Sequence, residues 1–394
     1  MYLIEEHYYT INKTFLKILG IWPHDRSRFI LLQRLLIIFL TTIHIGMQLS
    51  VFITMKYNMA LFIKITSCAF PCILITMKYC AFILKSKSVQ NLHYLIREDW
   101  RIIRTELESK IILKHAHNSQ IYNIYIFLSI NFLIIGIVMV QFLPNILDIV
   151  LPLDEPRPRK PIIMAEYFVL HDKYFYTKIL HEIVLIVIYT SILFATSSQL
   201  LVFSCHSFGM FKITSHRIEY SIEDSVLHVP NPGKKSAIYR RIMHVVIAHR
   251  RAMDFCNVMI SSFNIPYCII TIVGLISLSI NLYGFVEAVI ISKNMENFTM
   301  YFFTTTGHLI YMFVANYIGQ KVIDYNNELF KLSYDTSWYL MPVSSQKLIL
   351  FLMQKTGKEF YFTIGSMFIA KLESFATLLN AALSYVTVMY SYMC

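Results

Sequence analysis

Charge is what this 394-residue sequence has least of: Asp, Glu, Lys and Arg make up 15% of it, against about 25% in water-soluble domains. With 56% apolar residues and a mean hydropathy of +0.54, a surface wetted on all sides is excluded, and the chain reads as an integral membrane protein. Other absences narrow the chemistry. No glycine-rich phosphate loop occurs. His115 and His117 face different ways on a helix, His181-Glu182 lacks the second histidine of a zinc pair, and His244 and His249 fall off a common face. Catalysis, a bound metal and a cofactor are therefore not expected. The first 28 residues hold Glu5, Glu6, Lys13, Lys17, Asp25, Arg26 and Arg28 with no apolar core, so no cleavable signal is read there. None of the seven cysteines, Cys68, Cys72, Cys80, Cys205, Cys256, Cys268 and Cys394, falls in an outer loop, which excludes a staple between loops there. The net charge of +11 is not gathered into a basic, aromatic-laced block, so it is read as a topology signal and not as a nucleic-acid partner.

What is present is helix. A surface amphipathic segment within residues 1–28, with Ile11, Phe15, Ile18 and Leu19 on one side, precedes spans at about 29–54, 60–84, 121–150 and 179–211. The segment 212–254 is a cytosolic loop with helix extensions, followed by spans at about 255–291 and 299–323 after a short turn around Lys293 and Glu296. A second cytosolic segment, 324–361, carries a half-length helix at about 343–354, and the last span occupies 362–392 of a terminal unit 362–394. Pro71 should kink the second span. The charged stretch 85–118 suits a solvated helix, and Pro152, Pro156, Pro158 and Pro161 impose an extended lid. Cationic residues in or flanking the amino-terminal segment and the second, fourth and sixth loops number 25, against 7 in the other three loops. That asymmetry places the amino terminus inside and the carboxyl terminus outside. Asn297-Phe298-Thr299 is a glycosylation sequon close to the membrane.

The last span differs from the others. Glu373, Thr377, Asn380, Ser384, Thr387 and Ser391 recur at helical spacing along one face, with Phe375, Leu378, Leu379, Ala382, Val386 and Met389 on the other. On spacing alone, close helix packing and a water-filled pore both fit, and packing is the commoner use of such residues.

An inverted seven-span chain with Leu19-Gly20-Ile21-Trp22-Pro23 near its start, Ser337-Trp338-Tyr339 in its sixth loop and Leu383-Ser384-Tyr385-Val386-Thr387-Val388 near its end resembles the insect odorant receptor family, in particular its large hymenopteran, ant-like group. Ser384 in place of Thr and the missing Gln-Phe pair separate it from the related gustatory receptors. The short segment between spans four and five separates it from the family's shared co-receptor. The resemblance implies an all-α tetrameric channel with a central pore: a tuning subunit that forms a heterotetramer with the co-receptor in the plasma membrane of an olfactory neuron's dendrite. It binds a lipophilic odorant or pheromone and gates a non-selective cation path. It further implies that the last helix lines the pore, with Val388, Ser391 and Tyr392 near the outer gate and Asn380, Ser384 and Thr387 below them; Tyr392 is bulkier than the family's usual residue. The cytosolic ends of spans four to six with the half-length helix form an anchor between subunits.

The resemblance also places a pocket in the outer halves of spans two, three, four and six. The candidates there are Phe62, Thr66, Ala69 and Phe70; Gly136, Met139 and Val140; Ile186, Tyr189 and Leu193; and Tyr301, Thr304, Thr305, His308 and Tyr311. Ordinary helix packing is the competing reading for each, and His308 reads equally as a core histidine. The carboxyl terminus at Cys394, with Glu287 and Glu296, is expected beside the outer pore mouth. Two other classes remain to be weighed. A secondary transporter should show matched broken helices in two halves, which are not seen; a G-protein-coupled receptor should have the opposite orientation and outer cysteines.

Overall fold

The computed structural model describes residues 9–25, 27–103, 105–151, 163–167, 175–221, 232–290, 295–365 and 367–393. Helix dominates: α1 (Thr10–Ile18), α2 (Arg28–Thr54), α3 (Met59–Leu84), α4 (Ser86–Ile102), α5 (Glu106–Val150), α6 (Phe175–Ser221), α7 (Pro232–Ile290), α8 (Met295–Asp335), α9 (Val343–Thr356) and α10 (Leu372–Met393). Two starts follow from their caps. Ser27 accepts from the Ile30 amide at 3.2 Å ahead of α2, and Asn58 from the Leu61 amide at 2.6 Å ahead of α3. Pro71 lies inside α3, which continues as helix through it.

Among the described residues, six helices are long and apolar enough to cross a membrane: α2, α3, α6, α10 and long parts of α5 and α7. The 41-residue α8 has the length, but Thr304, Thr305, Thr306, His308, Asn316 and Gln320 dilute its apolar residues. It packs along α5, α6, α7 and α10, completing the expected bundle of seven long helices. The inner ends of these helices run on beyond the membrane. At 1.5 Å per residue the 59-residue α7 spans roughly 90 Å, about three times a hydrocarbon core.

The main core lies in this inner half, where every residue of α6 from Leu201 to Phe211 is buried against Phe82, Leu92, Ile112, Phe255 and Cys256. Farther in, Ile238 and Ile242 of α7 pack on Met341, Ile349 and Met353, and Ile218, Val245, Leu329 and Leu352 form a second layer. The His249 imidazole, beside Phe211, is held down at about 4 by burial.

Three expectations change. The stretch 85–118 is not simply solvated: Asp99 is buried, with Arg251 Nε at 2.7 Å and His206 Nε2 at 3.0 Å, and buried Glu108 takes Arg217 Nε at 2.6 Å. Around them α4 presents Val89, Leu92 and Ile96 to the core, so its charged residues divide between a wet face and a buried one. Next, α1 docks through Asn12, Leu16 and Leu19, while Ile11 and Ile18 are exposed. Asn12 Nδ2 donates to Ser198 Oγ at 2.9 Å, so a polar residue joins Phe15, Leu16 and Leu19 on the packed side. Gly20, at φ +66°, then turns the chain so that Tyr79 Oη donates to the Leu19 carbonyl at 2.8 Å and Arg34 Nε to the Gly20 carbonyl at 2.6 Å. Those bonds give the Leu-Gly-Ile-Trp-Pro signature its structural role.

The third change is at the last span. Its helix begins at Leu372, and ahead of it Thr363–Ile364 and Phe368–Ile369 pair as two antiparallel strands, with Thr363 opposite Ile369 and Ile364 opposite Phe368. The hairpin sits on α7, where Asn264 Oδ1 accepts the Gly365 amide, and on α8, where Gly319 leaves no room for a Cβ beside the Ala370 carbonyl. Gly319→Ala is therefore expected to destabilise the protein by about 1–3 kcal/mol, because backbone must move to admit it. Gly274→Ala, with open space around it, should be neutral or slightly stabilising. Thermal unfolding of the two purified variants reads the difference.

Glu296, expected in a turn, belongs to the first turn of α8, as does Asn297 of the sequon. Pro152, Pro156, Pro158, Pro161 and Cys394 lie outside the described residues.

Candidate ligand site and pore face

In α10, alternating three- and four-residue steps put the polar line on one side, and all six of its members, Glu373, Thr377, Asn380, Ser384, Thr387 and Ser391, are exposed. The opposite side packs inward. Leu378, Ala382 and Val386 are buried, Val386 beside Tyr283, Ala288 and Met300, and Phe375 meets the Phe313 ring edge-on at 5.6 Å. The hydroxyls return to their own helix: Thr377 donates to the Glu373 carbonyl, Ser384 to Asn380 and Ser391 to Val388, each at 2.9 Å. Val388 is half exposed, and the Tyr392 side chain lies outside the described ones.

The pocket candidates separate into two groups on either side of α3. On the α7 and α8 side, Tyr301 is buried with its ring over Gly284, Thr304 Oγ1 donates to Asn281 Oδ1 at 2.7 Å, and His308 bonds through both ring nitrogens. Its Nε2 lies 2.9 Å from Ser277 Oγ and its Nδ1 2.8 Å from the Thr304 carbonyl. Thr66 of α3 is buried with its hydroxyl on the Phe62 carbonyl at 2.6 Å, and among the described residues the hydroxyl of buried Thr305 has no partner. On the other side, Tyr189 of α6 is buried and donates to the Thr41 carbonyl at 3.1 Å, with Ile186 and Leu193 part-buried along the same stripe. Gly136 of α5 instead faces α8, receiving the Phe303 ring where a Cβ would stand. Phe70 is part-buried, Phe62 and Met139 are at the surface, and the Val140 side chain is outside the described ones.

A polar cluster completes the second group, and spacing did not predict it. His44 of α2 is buried with Nε2 at 3.1 Å from Glu182 Oε2 and Nδ1 at 3.3 Å from Tyr189 Oη. Tyr167 Oη donates to Glu182 Oε1 at 2.7 Å, and Gln48 closes on the imidazole at 3.1 Å. The segment holding Tyr167 is fixed by the Glu166 amide donating to the Met47 carbonyl at 2.8 Å and by Thr54 Oγ1 donating to Glu166 Oε2 at 2.8 Å. Beside the cluster, a cleft of about 30 Å³ opens between α5, α6 and this segment, walled by Ile137, Gln141, Phe142, Ile163, Glu182 and Ile186. Deeper in the bundle, buried Lys78 donates to Ser197 Oγ at 3.0 Å and lies 4.2 Å from the Tyr311 ring centre. Ionisable groups in apolar spans are expensive, and that cost is the signal by which Glu182 and Lys78 could have been singled out from sequence.

Comparison with known proteins gives a consistent assignment. A family model described as 7tm Odorant receptor matches residues 66–383, about four-fifths of the chain. Among solved structures, the insect olfactory receptor OR5 from Machilis hrabei in complex with eugenol is similar at a TM-score of 0.79 and 14% identity, over 99% of each chain. A second structure of the olfactory receptor OR5 from Machilis hrabei is similar at a TM-score of 0.72 and 13% identity, over 98% of each chain. A comparison with curated sequences finds no match.

Proposed function

Because the chain belongs to the 7tm odorant receptor family, we propose that this odorant receptor subunit tunes a cation channel that it forms with the family's co-receptor in the plasma membrane, four subunits surrounding one pore. The observation that carries the reading is the exposed polar line of α10, whose apolar face is already occupied by α7 and α8. In hydrocarbon such a line is unfavourable, chiefly through the Asn380 amide and the Glu373 carboxylate, since the hydroxyls bond to their own helix. Water on a shared axis relieves that cost, and hydroxyls bonded to their own helix leave lone pairs for a passing hydrated cation. Asn380, Ser384 and Thr387 then line the path, with Val388, Ser391 and Tyr392 at its outer gate.

The ligand site is assigned to the two groups flanking α3, where Tyr189 and Tyr301 supply buried aromatic surface and Thr304, His308 and Glu182 polar contacts. A lipophilic molecule gates the pore by binding the open arrangement more tightly than the closed one. Expressed with the co-receptor and with G-protein signalling blocked, the chain should pass odorant-evoked current. A response abolished by that block would overturn the channel reading. In the same cells Tyr301→Ala and Tyr189→Ala should each shift half-maximal odorant concentration by about tenfold, the equivalent of ~1.4 kcal/mol of lost contact. An unchanged potency and rank order across the panel would remove the pocket assignment.

A further inference from the structure

We infer that Glu182 is a ligand anchor that makes this receptor prefer odorants donating a hydrogen bond: small apolar molecules carrying one hydroxyl. The inference rests on the odorant-gated reading above and adds the ligand class. Glu182, Ile186, Tyr189 and Leu193 follow at steps of four, three and four along α6, so the carboxylate continues the candidate ligand stripe by one turn towards the outside. It is buried, 8% exposed, and it lines the cleft whose other walls include Ile137, Phe142, Ile163 and Ile186. One oxygen accepts from Tyr167 Oη at 2.7 Å, and the other meets His44 Nε2 at 3.1 Å. An ionised carboxylate offers about four acceptor positions and no donor, so it has acceptor capacity left for a group entering the cleft. The cleft, about 30 Å³ and apolar but for Gln141 and Glu182, has room for one O–H at the carboxylate, and a hydrocarbon body follows where the apolar walls part in the open arrangement. An ether or ester of the same size gives the carboxylate nothing to accept and leaves it desolvated. A protonated amine would donate to the carboxylate too, but it must leave water as a full charge to enter an apolar cleft, a cost that a neutral hydroxyl escapes.

Isomeric probes test this without assuming the natural ligand. Cells expressing the chain with the co-receptor receive 1-octanol against 1-methoxyheptane, and 2-phenylethanol against benzyl methyl ether. In the unaltered receptor the alcohol of an active pair should reach half-maximal current at a concentration about tenfold or more below its ether. Glu182→Leu and Glu182→Gln should bring the two members of a pair within about threefold while keeping a response to the ether, which also shows that the variant folds and reaches the surface. Ethers equal to or better than alcohols in the unaltered receptor overturn the anchor, as does a preference that survives Glu182→Leu. If neither variant reaches the surface, the unaltered receptor's ratio decides alone. Agonists drawn only from non-donors across a wider panel refute the anchor but leave the channel reading standing; silence to every compound refutes both.

Discussion

Asp99→Leu is expected to destabilise the cytoplasmic half by about 3–5 kcal/mol, enough to deplete the receptor from the cell surface. The mechanism is specific. Asp99 is 3% exposed and joins three helices, with Arg251 of α7 and His206 of α6 sharing its two oxygens. Its removal strands a part-buried guanidinium and a buried imidazole in a core that cannot solvate them. Adding Arg251→Met to Asp99→Leu should recover part of the loss, since deleting both partners of a buried pair costs less than deleting one. By contrast, Glu106→Ala breaks a pair with Lys110 whose side chains are 83% and 66% exposed, and should stay within about 0.5 kcal/mol. Heating the purified proteins with a thiol-reactive dye measures this directly, because Cys205 and Cys256 are buried free thiols of the same core. An Asp99→Leu variant that melts with the unaltered protein would show the cluster to be energetically idle.

The second large effect belongs to the pore. Thr387→Lys should reduce cation current at least tenfold while leaving surface expression unchanged. Thr387 is exposed and its hydroxyl bonds to the Ser384 carbonyl at 2.8 Å, so among the described residues a longer side chain has room in its own subunit. An ammonium there sits beside the proposed ion path. At ~8 Å and an effective dielectric of ~20, the repulsion of a passing monovalent cation is about 2 kcal/mol, or roughly thirtyfold in occupancy. Thr387→Val, similar in shape and uncharged, should change conductance far less. Whole-cell current normalised to surface label distinguishes the two, and equal currents in both variants would place this face of α10 away from the ion path.

Several features of the fold were legible because their signals are local. Span lengths, the inside-positive flanks and the half-length helix, expected at 343–354 and found at Val343–Thr356, all follow from residues within a few turns of each other. The polar line of α10 is of the same kind, a periodicity that any helix must display on one face. The hairpin before α10 was not legible. Its residues are as apolar as a span, and the departure from helix rests on Gly365 at φ +64° and on a seat against Asn264, 101 positions away. The packed side of α1 was legible in part for a related reason: of the apolar side, Phe15 and Leu19 pack inward, whereas Ile11 and Ile18 are exposed and Asn12 finds its partner at Ser198.

The amino-acid order alone therefore determined the membrane class, the helical bundle, the orientation argued from its charges and the family resemblance that the comparisons established, because periodicity and charge act over one or two turns. Only the tertiary structure decided which side chains meet. His44 and Glu182 are 138 residues apart and Asp99 and Arg251 are 152 apart, and nothing near either member signals the other. Such pairs arise when several long helices settle at particular heights and rotations, and those are set by the packing of the whole bundle at once.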